Sequence, residues 1–156
     1  MTKTNIEAEI RKALTQMTIN KNTYYTILNS CLGYDVETGG IIGGTNNIIS
    51  EFVFDKGTES GTKWLYYPNI EKLNLCIQNW QDNEVEFYGI VHSHFQEKKE
   101  LSFGDSRYIQ EIMSAMPASI KHLYFPVIIP GDGLVAFKAS QKEKAICIEP
   151  DTITLI

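Results

Sequence analysis

Two histidines, a serine and an aspartate lie close together in the chain and have the side chains needed to bind a divalent metal. The segment reads H-x-H-x7-S-x2-D, with His92, His94, Ser102 and Asp105 at the defined positions. Imidazole nitrogens and carboxylate oxygens are common Zn²⁺ ligands. Each half alone has a simpler explanation, because isolated histidine pairs are common and Ser102-x-x-Asp105 has the form of a helix capping box. The combination predicts a metal site with His92, His94 and Asp105 as ligands.

The elements predicted around this segment would bring the three ligands together. Residues 85–91 are a short apolar run typical of a strand, and the run leads directly into His92. Side chains alternate along a strand, so His92 and His94 would point to one side and Ser93 to the other. A helix predicted from Ser102 to about residue 116 would carry Asp105 in its first turn. Two imidazoles and one carboxylate leave a position for water, which is typical of catalytic zinc.

A metal hydrolase also needs a base that accepts a proton from the attacking water. The sequence contains neither HExxH nor the paired pattern of the zinc deaminases. Glu37 is the best candidate, because it precedes the paired glycines of residues 39–44 beside a predicted strand. By spacing alone, Glu37 could instead be a solvent-facing turn residue. His122 has no partner in the sequence and is expected to be structural.

These residues resemble the JAMM (MPN+) metalloproteases, also called Mov34/MPN/PAD-1 or JAB domains. Their pattern is a glutamate near a glycine-containing strand, followed by H-[ST]-H-x7-S-x2-D. The matching residues here are Glu37, Gly39, Gly40, Gly43, His92, Ser93, His94, Ser102 and Asp105. The order of predicted elements agrees from about Met17 to Ile156. Phe95 and Leu101 stand where the family often has proline, which leaves the substrate rim open: Phe95 is either a substrate contact or a packed loop anchor.

The resemblance implies both a fold class and an activity. The implied fold is an α/β sandwich, JAB1/MPN-like and similar to the cytidine deaminases, with a curved, mainly antiparallel sheet flanked by helices. The implied enzyme is a zinc metallopeptidase that holds one Zn²⁺ per chain through His92, His94 and Asp105. Glu37 would be the general base on the zinc-bound water, and Ser102 would stabilise the oxyanion. No long substrate-clasping insertion is expected after Asp105, as in a compact prokaryotic member.

The implied substrate is a peptide or isopeptide bond after the C-terminal tail of a ubiquitin-like protein. Two alternatives stay open. One is a zinc peptidase that processes a sulfur-carrier protein or a small peptide adduct. The other is a non-catalytic MPN scaffold, although such scaffolds usually lack the metal ligands. The expected partner is therefore a ubiquitin-like or sulfur-carrier-like protein, and the oligomeric state stays open.

The chain is predicted to divide into an N-terminal helical extension, residues 1–18, and a metalloprotease domain, residues 19–156. Residues 4–7 have the form of a capping box, and Ile6, Ile10, Leu14 and Met17 follow at helical spacing. Further helices are predicted over residues 22–32 and from residues 68–69 onward. Strands are predicted over 38–44, 47–54, 123–129, 134–139, 145–149 and 152–155.

Composition narrows the class of protein. The 156 residues carry a net charge of −5 without long blocks of either sign, which disfavours a nucleic-acid surface. No apolar run approaches the length of a membrane span, and no signal peptide is evident, so no membrane role is expected. Cys31, Cys76 and Cys147 are odd in number and widely spaced. They are expected to be buried thiols in a reducing cytoplasm. The charged run at residues 97–100 is expected to be a solvated loop.

Overall fold

The computed structural model describes residues 2–7, 16–58 and 66–156. Residues 3–7 are helical. The longer helices are α1 (Lys21–Cys31), α2 (Ile70–Asp82) and α3 (Phe103–Ala115). The strands are β1 (Met17–Ile19), β2 (Gly39–Thr45), β3 (Ile48–Asp55), β4 (Glu86–Ser93), β5 (His122–Tyr124), β6 (Val127–Ile129), β7 (Gly133–Lys142), β8 (Ala145–Asp151) and β9 (Ile153–Leu155).

All these strands join one sheet. From one edge the order is β9, β1, β3, β2 and β4. Next, β5 and β6 each lie between β4 and β7, and β8 pairs with the other side of β7. The pairs β2–β3, β2–β4, β5–β7, β6–β7 and β7–β8 are antiparallel, whereas β1 runs parallel to β3 and β9 and β4 runs parallel to β5 and β6. The predicted fold class, an α/β structure with a mainly antiparallel sheet flanked by helices, is confirmed.

The two faces of the sheet bury different hydrophobic cores. On β2 and β4, Ile42 and Val91 belong to the core that includes Ile27 and Cys31 of α1. The alternate residues Ile41 and Ile90 belong to the core that includes residues of α2 and α3, namely Leu73, Trp80, Ile109 and Met113. Because side chains alternate along β4, the residues after Val91 also divide between the two faces. The α2/α3 face receives His92, and the α1 face receives Ser93.

Side-chain caps begin all three long helices. Asn20 caps α1 and accepts a hydrogen bond from the Thr23 N–H. Asn69 caps α2 through the Lys72 N–H, and Ser102 caps α3 through the Asp105 N–H. Such caps satisfy backbone donors that have no partner inside the helix. The third cap matters for the site, because it fixes the turn that carries Asp105.

The N-terminal segment differs from its prediction. Met17 lies in β1 and not on a helical face, and it is fully buried between β3 and β9. Thr2 rather than Thr4 caps the helical residues 3–7, because its hydroxyl accepts from the Asn5 N–H at 3.4 Å. Predicted positions 10 and 14 lie outside the described residues. Met17 and Thr18 therefore belong to the sheet, and the remainder of the division at residue 18 stays a prediction.

Other predicted elements are present with altered ends or faces. Leu32 and Ile70 fit the helical spacing of the apolar residues in their segments, yet they are 47% and 57% exposed. The strand predicted over residues 123–129 is divided into β5 and β6 around Pro126. Pro126 has no N–H to donate to a neighbouring strand, but its carbonyl accepts from the His92 N–H at 3.2 Å. This break thus borders the candidate site.

Among the predicted buried thiols, Cys31 alone is fully buried, whereas Cys76 and Cys147 are half-buried, and all three are free. Burial raises the pKa of the Cys31 thiol to about 11. None of the helices in residues 2–7, 16–58 and 66–156 is long and apolar enough to cross a membrane.

The position of Met17 in the core can be tested by unfolding measurements. Met17→Ala should destabilise the protein by about 2–5 kcal/mol, because it leaves a cavity beneath the sheet. Ile6→Ala is the matched control, since Ile6 is 46% exposed and its truncation should change stability by no more than about 0.5 kcal/mol. Equal losses in urea denaturation would contradict the strand assignment.

Candidate metal centre

The structure brings His92, His94 and Asp105 together. One ligand atom from each of the three residues lies within 4.8 Å of the others. The Asp105 carboxylate bridges the two imidazoles: Oδ1 is 3.2 Å from His92 Nε2, and Oδ2 is 3.0 Å from His94 Nε2. The histidines are buried and the aspartate is half-buried. Two consecutive elements, the end of β4 and the first turn of α3, thus converge on one point.

The α3 capping box holds the Asp105 carboxylate in place. Ser102 Oγ accepts from the Asp105 N–H at 3.0 Å, and the Ser102 N–H donates to Asp105 Oδ2 at 2.9 Å. The helix N-terminus also favours a negative charge there. The capping box and the candidate metal ligand are therefore the same carboxylate, so the two explanations of Ser102-x-x-Asp105 are compatible.

The hydrogen bonding of His94 leaves one ring nitrogen for a metal. His94 Nδ1 lies 2.7 Å from the Lys98 carbonyl oxygen, and a carbonyl can only accept, so Nδ1 carries the hydrogen. In a neutral imidazole, Nε2 then presents its lone pair towards Asp105 Oδ2. Two lone pairs facing each other favour a cation between them. A second hydrogen bond of this kind commonly orients metal-binding histidines.

His92 gives the most direct indication that the residues fit a metal ion. Its Nε2 atom is buried, and no described residue forms a hydrogen bond with it. The nearby Asp105 Oδ1, at 3.2 Å, is close enough for electrostatic attraction but lacks hydrogen-bond alignment. A buried nitrogen without a partner is costly unless something else binds it. His92, His94 and Asp105 therefore fit a Zn²⁺ ion in donor type and placement.

The contacts within the cluster shift the pKa values of Asp105 and His94 in opposite directions. Burial opposes ionisation of Asp105, but the contacts with His92 and His94 hold its pKa well below the ordinary value. Burial likewise opposes protonation of His94, yet the Asp105 carboxylate and the Lys98 carbonyl raise its pKa. The carboxylate is thus ionised and available as a ligand across the neutral pH range.

Glu37 lies on the same cleft as His94 and Asp105. The cleft has a volume of about 610 Å³ and is lined by Glu37, His94, Phe95, Gln96, Lys98, Glu100, Leu101, Ser102 and Asp105. Glu37 Oε2 accepts a hydrogen bond from the Tyr66 N–H at 3.2 Å. Burial raises the pKa of Glu37, and the nearby His92 counteracts part of that effect. Glu37 is therefore a half-buried cleft residue rather than an isolated, solvent-facing turn residue.

Ser93 fixes the backbone next to Glu37 from the other face of the sheet. Its hydroxyl accepts from the Thr38 N–H at 3.0 Å and donates to the Thr38 carbonyl at 3.3 Å. Thr38 in turn donates to the Cys31 carbonyl at the end of α1, at 3.1 Å. The residue between the two histidines thus connects the candidate base to the strand that carries them.

Tyr66 and Asp55 also contribute to the site, although the sequence analysis did not identify them. The Tyr66 ring lies parallel to His92, with centroids 6.5 Å apart and planes 9° apart. Its hydroxyl donates to Asp55 Oδ2 at 2.6 Å. Burial first, and then Asp55, raise the pKa of Tyr66 far above its ordinary value, so the hydroxyl stays protonated. Neither residue belongs to a local motif, and no signal in the sequence connects them to His92.

The rim of the cleft is formed by the loop after His94. Residues 95–100 are exposed, as predicted for the charged run, although Lys98 and Glu100 also line the cleft. Leu101 is half-buried and packs against the core on the α2/α3 face, so it anchors the loop. Phe95 is 51% exposed, which gives this rim an accessible aromatic ring, and Phe103 at the start of α3 is 86% exposed. His122 lies in β5 and is not among the residues lining the cleft.

Solved structures resemble this chain along most of its length. A JAB1/MPN domain protein from Archaeoglobus fulgidus has a TM-score of 0.53 at 13% identity, with 91% of this chain and 98% of that chain covered. The chain has a JAB1/MPN-like fold. A protein from Desulfitobacterium hafniense reaches a TM-score of 0.62 at 14% identity, covering 89% of this chain and 92% of that one.

A third similar structure is described as a metalloprotease-like zinc site in the proteasome and signalosome. Its TM-score is 0.51 at 14% identity, and the match covers 91% of this chain and 99% of that chain. No protein-family model and no curated protein matches the sequence. At these identities the likeness shows the JAB1/MPN-like fold, and the resemblance to JAMM metalloproteases is supported to that extent.

Gly39 provides a test of how tightly the site is packed. It pairs with His92 across β2 and β4, and a Cβ atom there would overlap the Val91 carbonyl oxygen and lie 2.8 Å from Tyr66 Cε1. Gly39→Ala should therefore cost about 1–3 kcal/mol of stability and weaken any metal binding at His92.

Gly33→Ala is the matched control for this substitution. An added Cβ at Gly33 meets nothing within 4 Å, so stability should change by no more than about 0.5 kcal/mol. Thermal unfolding and competition with a zinc chelator measure the two effects. If Gly39→Ala kept both its stability and its metal affinity, β2 and β4 would be packed less tightly at His92 than the structure indicates.

Proposed function

We propose that this chain is a JAMM-type zinc metallopeptidase. The observation that carries the proposal is the convergence of His92, His94 and Asp105, with the buried His92 Nε2 lacking a hydrogen bond among the described residues. A candidate base, Glu37, lies on the same cleft. The resemblance of the sequence to JAMM metalloproteases and the JAB1/MPN-like fold both support this function.

The ion would be held by His92, His94 and Asp105, one per chain. When bound, Zn²⁺ lowers the pKa of water to about 7 and polarises a carbonyl group. Glu37 would accept the proton of the attacking water and transfer it to the departing amine. Its environment favours the protonated form more than water does, because burial raises its pKa above the ordinary value.

Ser102 would stabilise the negative charge that develops on the carbonyl oxygen. Its oxygen accepts from the Asp105 N–H, and no described residue accepts its hydroxyl hydrogen. The hydroxyl therefore remains able to donate into the cleft that it lines. Donors of this kind contribute about 3–4 kcal/mol to transition-state stabilisation in well-studied hydrolases.

The proposed substrate is a peptide or isopeptide bond after the C-terminal tail of a ubiquitin-like protein. Support comes from the resemblance to JAMM metalloproteases and from the cleft, which has room for an extended tail. A sulfur-carrier protein or a small peptide adduct would present a similar tail, and the cleavage assay below separates these substrates.

The free thiols of Cys31, Cys76 and Cys147 support a reducing compartment such as the cytoplasm.

Metal binding is the first test of this function. Protein purified without chelators should contain about one zinc per chain, and saturating zinc at 100 times Kd should stabilise the fold by about 2.7 kcal/mol. Asp105→Asn preserves the shape of the side chain but removes the charge. Substitution of a residue that only orients a metal ligand typically weakens metal binding by about 10- to 100-fold. Asp105 is itself a proposed ligand, so Asp105→Asn should weaken zinc binding by more than that.

Asp132→Asn is the control for charge loss, because Asp132 is exposed and pairs only with Lys99 in the described contacts, at 3.3 Å. Its zinc affinity should equal that of the wild type. Wild-type protein that takes up no zinc in elemental analysis or calorimetry would refute the metallopeptidase and favour the non-catalytic scaffold.

The role of Glu37 can be tested with fusion proteins that carry a Gly-Gly tail. The panel should vary the residue after the tail and include an isopeptide linkage to lysine, a sulfur-carrier fusion and a short peptide adduct. Glu37→Gln should lower cleavage by about 10²- to 10⁴-fold because it removes the base. Its zinc content should be unchanged, and full activity in this variant would exclude the proposed mechanism.

A further inference from the structure

Tyr66 is placed to position both the candidate base and one metal ligand. We propose that it is a positioning residue for Glu37 and His92, anchored by the buried carboxylate of Asp55. This inference rests on the proposed function, because it assigns Tyr66 to the same site. It adds a connection that runs from the end of β3, through an aromatic ring, to the metal centre.

Tyr66 contacts the site at three points. Its N–H donates to Glu37 Oε2 at 3.2 Å. Its ring lies parallel to the His92 imidazole, with 6.5 Å between centroids. The same ring lies beneath Gly39, where an added Cβ would be 2.8 Å from Tyr66 Cε1. A shift of Tyr66 would therefore move the base and the ligand together.

Asp55 fixes the far end of Tyr66. It is 2% exposed and accepts three hydrogen bonds. These come from the Tyr66 hydroxyl at 2.6 Å, the Asn69 N–H at 2.9 Å and the Gly57 N–H at 3.1 Å. Short hydrogen bonds to a carboxylate are among the stronger ones in proteins. Because Asn69 is also the N-cap of α2, Asp55 joins Tyr66 to β3 and to the start of that helix.

The orientation of the His92 ring depends on neighbouring groups such as Tyr66. His94 is oriented through Nδ1, which is bonded to the Lys98 carbonyl at 2.7 Å, whereas the described residues form no such hydrogen bond to His92 Nδ1. Contacts that fix ring orientation typically change metal affinity by about 10- to 100-fold. The parallel Tyr66 ring supplies a steric constraint on rotation of the His92 imidazole, and Asp55 keeps that ring in place.

Tyr66→Phe tests the inference because it removes the bond to Asp55 but retains the ring and the backbone N–H. Zinc affinity, measured by chelator competition, should fall about 10-fold or more. In the metal-free variant, the His92 ring signals in NMR should shift towards averaged values, since the neighbouring ring is less fixed. The chain has three histidines, so these signals can be assigned individually.

Tyr88→Phe is the matched control. The Tyr88 hydroxyl is hydrogen-bonded too: it accepts from the Asn47 N–H and donates to Glu86 Oε2, both at 2.9 Å. Tyr88 belongs to the core on the α1 face, away from the metal ligands. This variant should lose stability as Tyr66→Phe does, but its zinc affinity and His92 signals should match the wild type.

The outcomes separate this inference from the proposed function. Zinc binding by the wild type with unchanged affinity and unchanged His92 signals in Tyr66→Phe would overturn the positioning role and leave the function intact. Altered His92 signals in a protein that takes up no zinc would retain the positioning role and reject the metallopeptidase. Equal loss of zinc affinity in Tyr66→Phe and Tyr88→Phe would show a general effect of stability and overturn the inference.

Discussion

The contact between one carboxylate and two imidazoles is the interaction on which the site depends. Asp105 lies within 3.2 Å of a nitrogen of His92 and within 3.0 Å of a nitrogen of His94. Such a cluster is stable only if a proton or a cation compensates the carboxylate in a partly buried environment. The fold provides the geometry from two directions, with the histidines on β4 and the aspartate on α3. A second physical requirement is that the carboxylate also completes the cap of its own helix.

The two faces of the sheet carry different parts of the candidate site. His92 follows Ile90 on the face covered by α2 and α3, where the carboxylate and Tyr66 lie. Ser93 follows Val91 on the α1 face, where it binds Thr38. One strand therefore supplies a candidate metal ligand on one side and a support for the candidate base on the other. A one-residue change of register would exchange these sides and remove both functions.

The sequence allowed prediction of features that depend on local periodicity and capping. The alternation of β4 and the capping box at Ser102 are local, so the placement of the two histidines and Asp105 followed from them. Features that depend on distant partners were missed. Met17 is a strand residue because it pairs with β9, and Tyr66 reaches the site through Asp55 and His92. Ile70 fits the helical periodicity but lies in the first turn of α2, where its side chain stays exposed.

The pairing of β1 with β9 has a consequence for how the protein folds. Met17 lies opposite Ile153. The first strand in sequence order, β1, therefore pairs with the last one, β9. A hydrogen bond from the Lys21 N–H to the Ile156 carbonyl connects the same two regions of the chain. Contacts between such distant residues form slowly, because a long loop must close first. During synthesis on the ribosome, β1 therefore lacks its β9 partner until residues 153–155 have been made, and the backbone on that side of β1 stays unpaired by β9 until then.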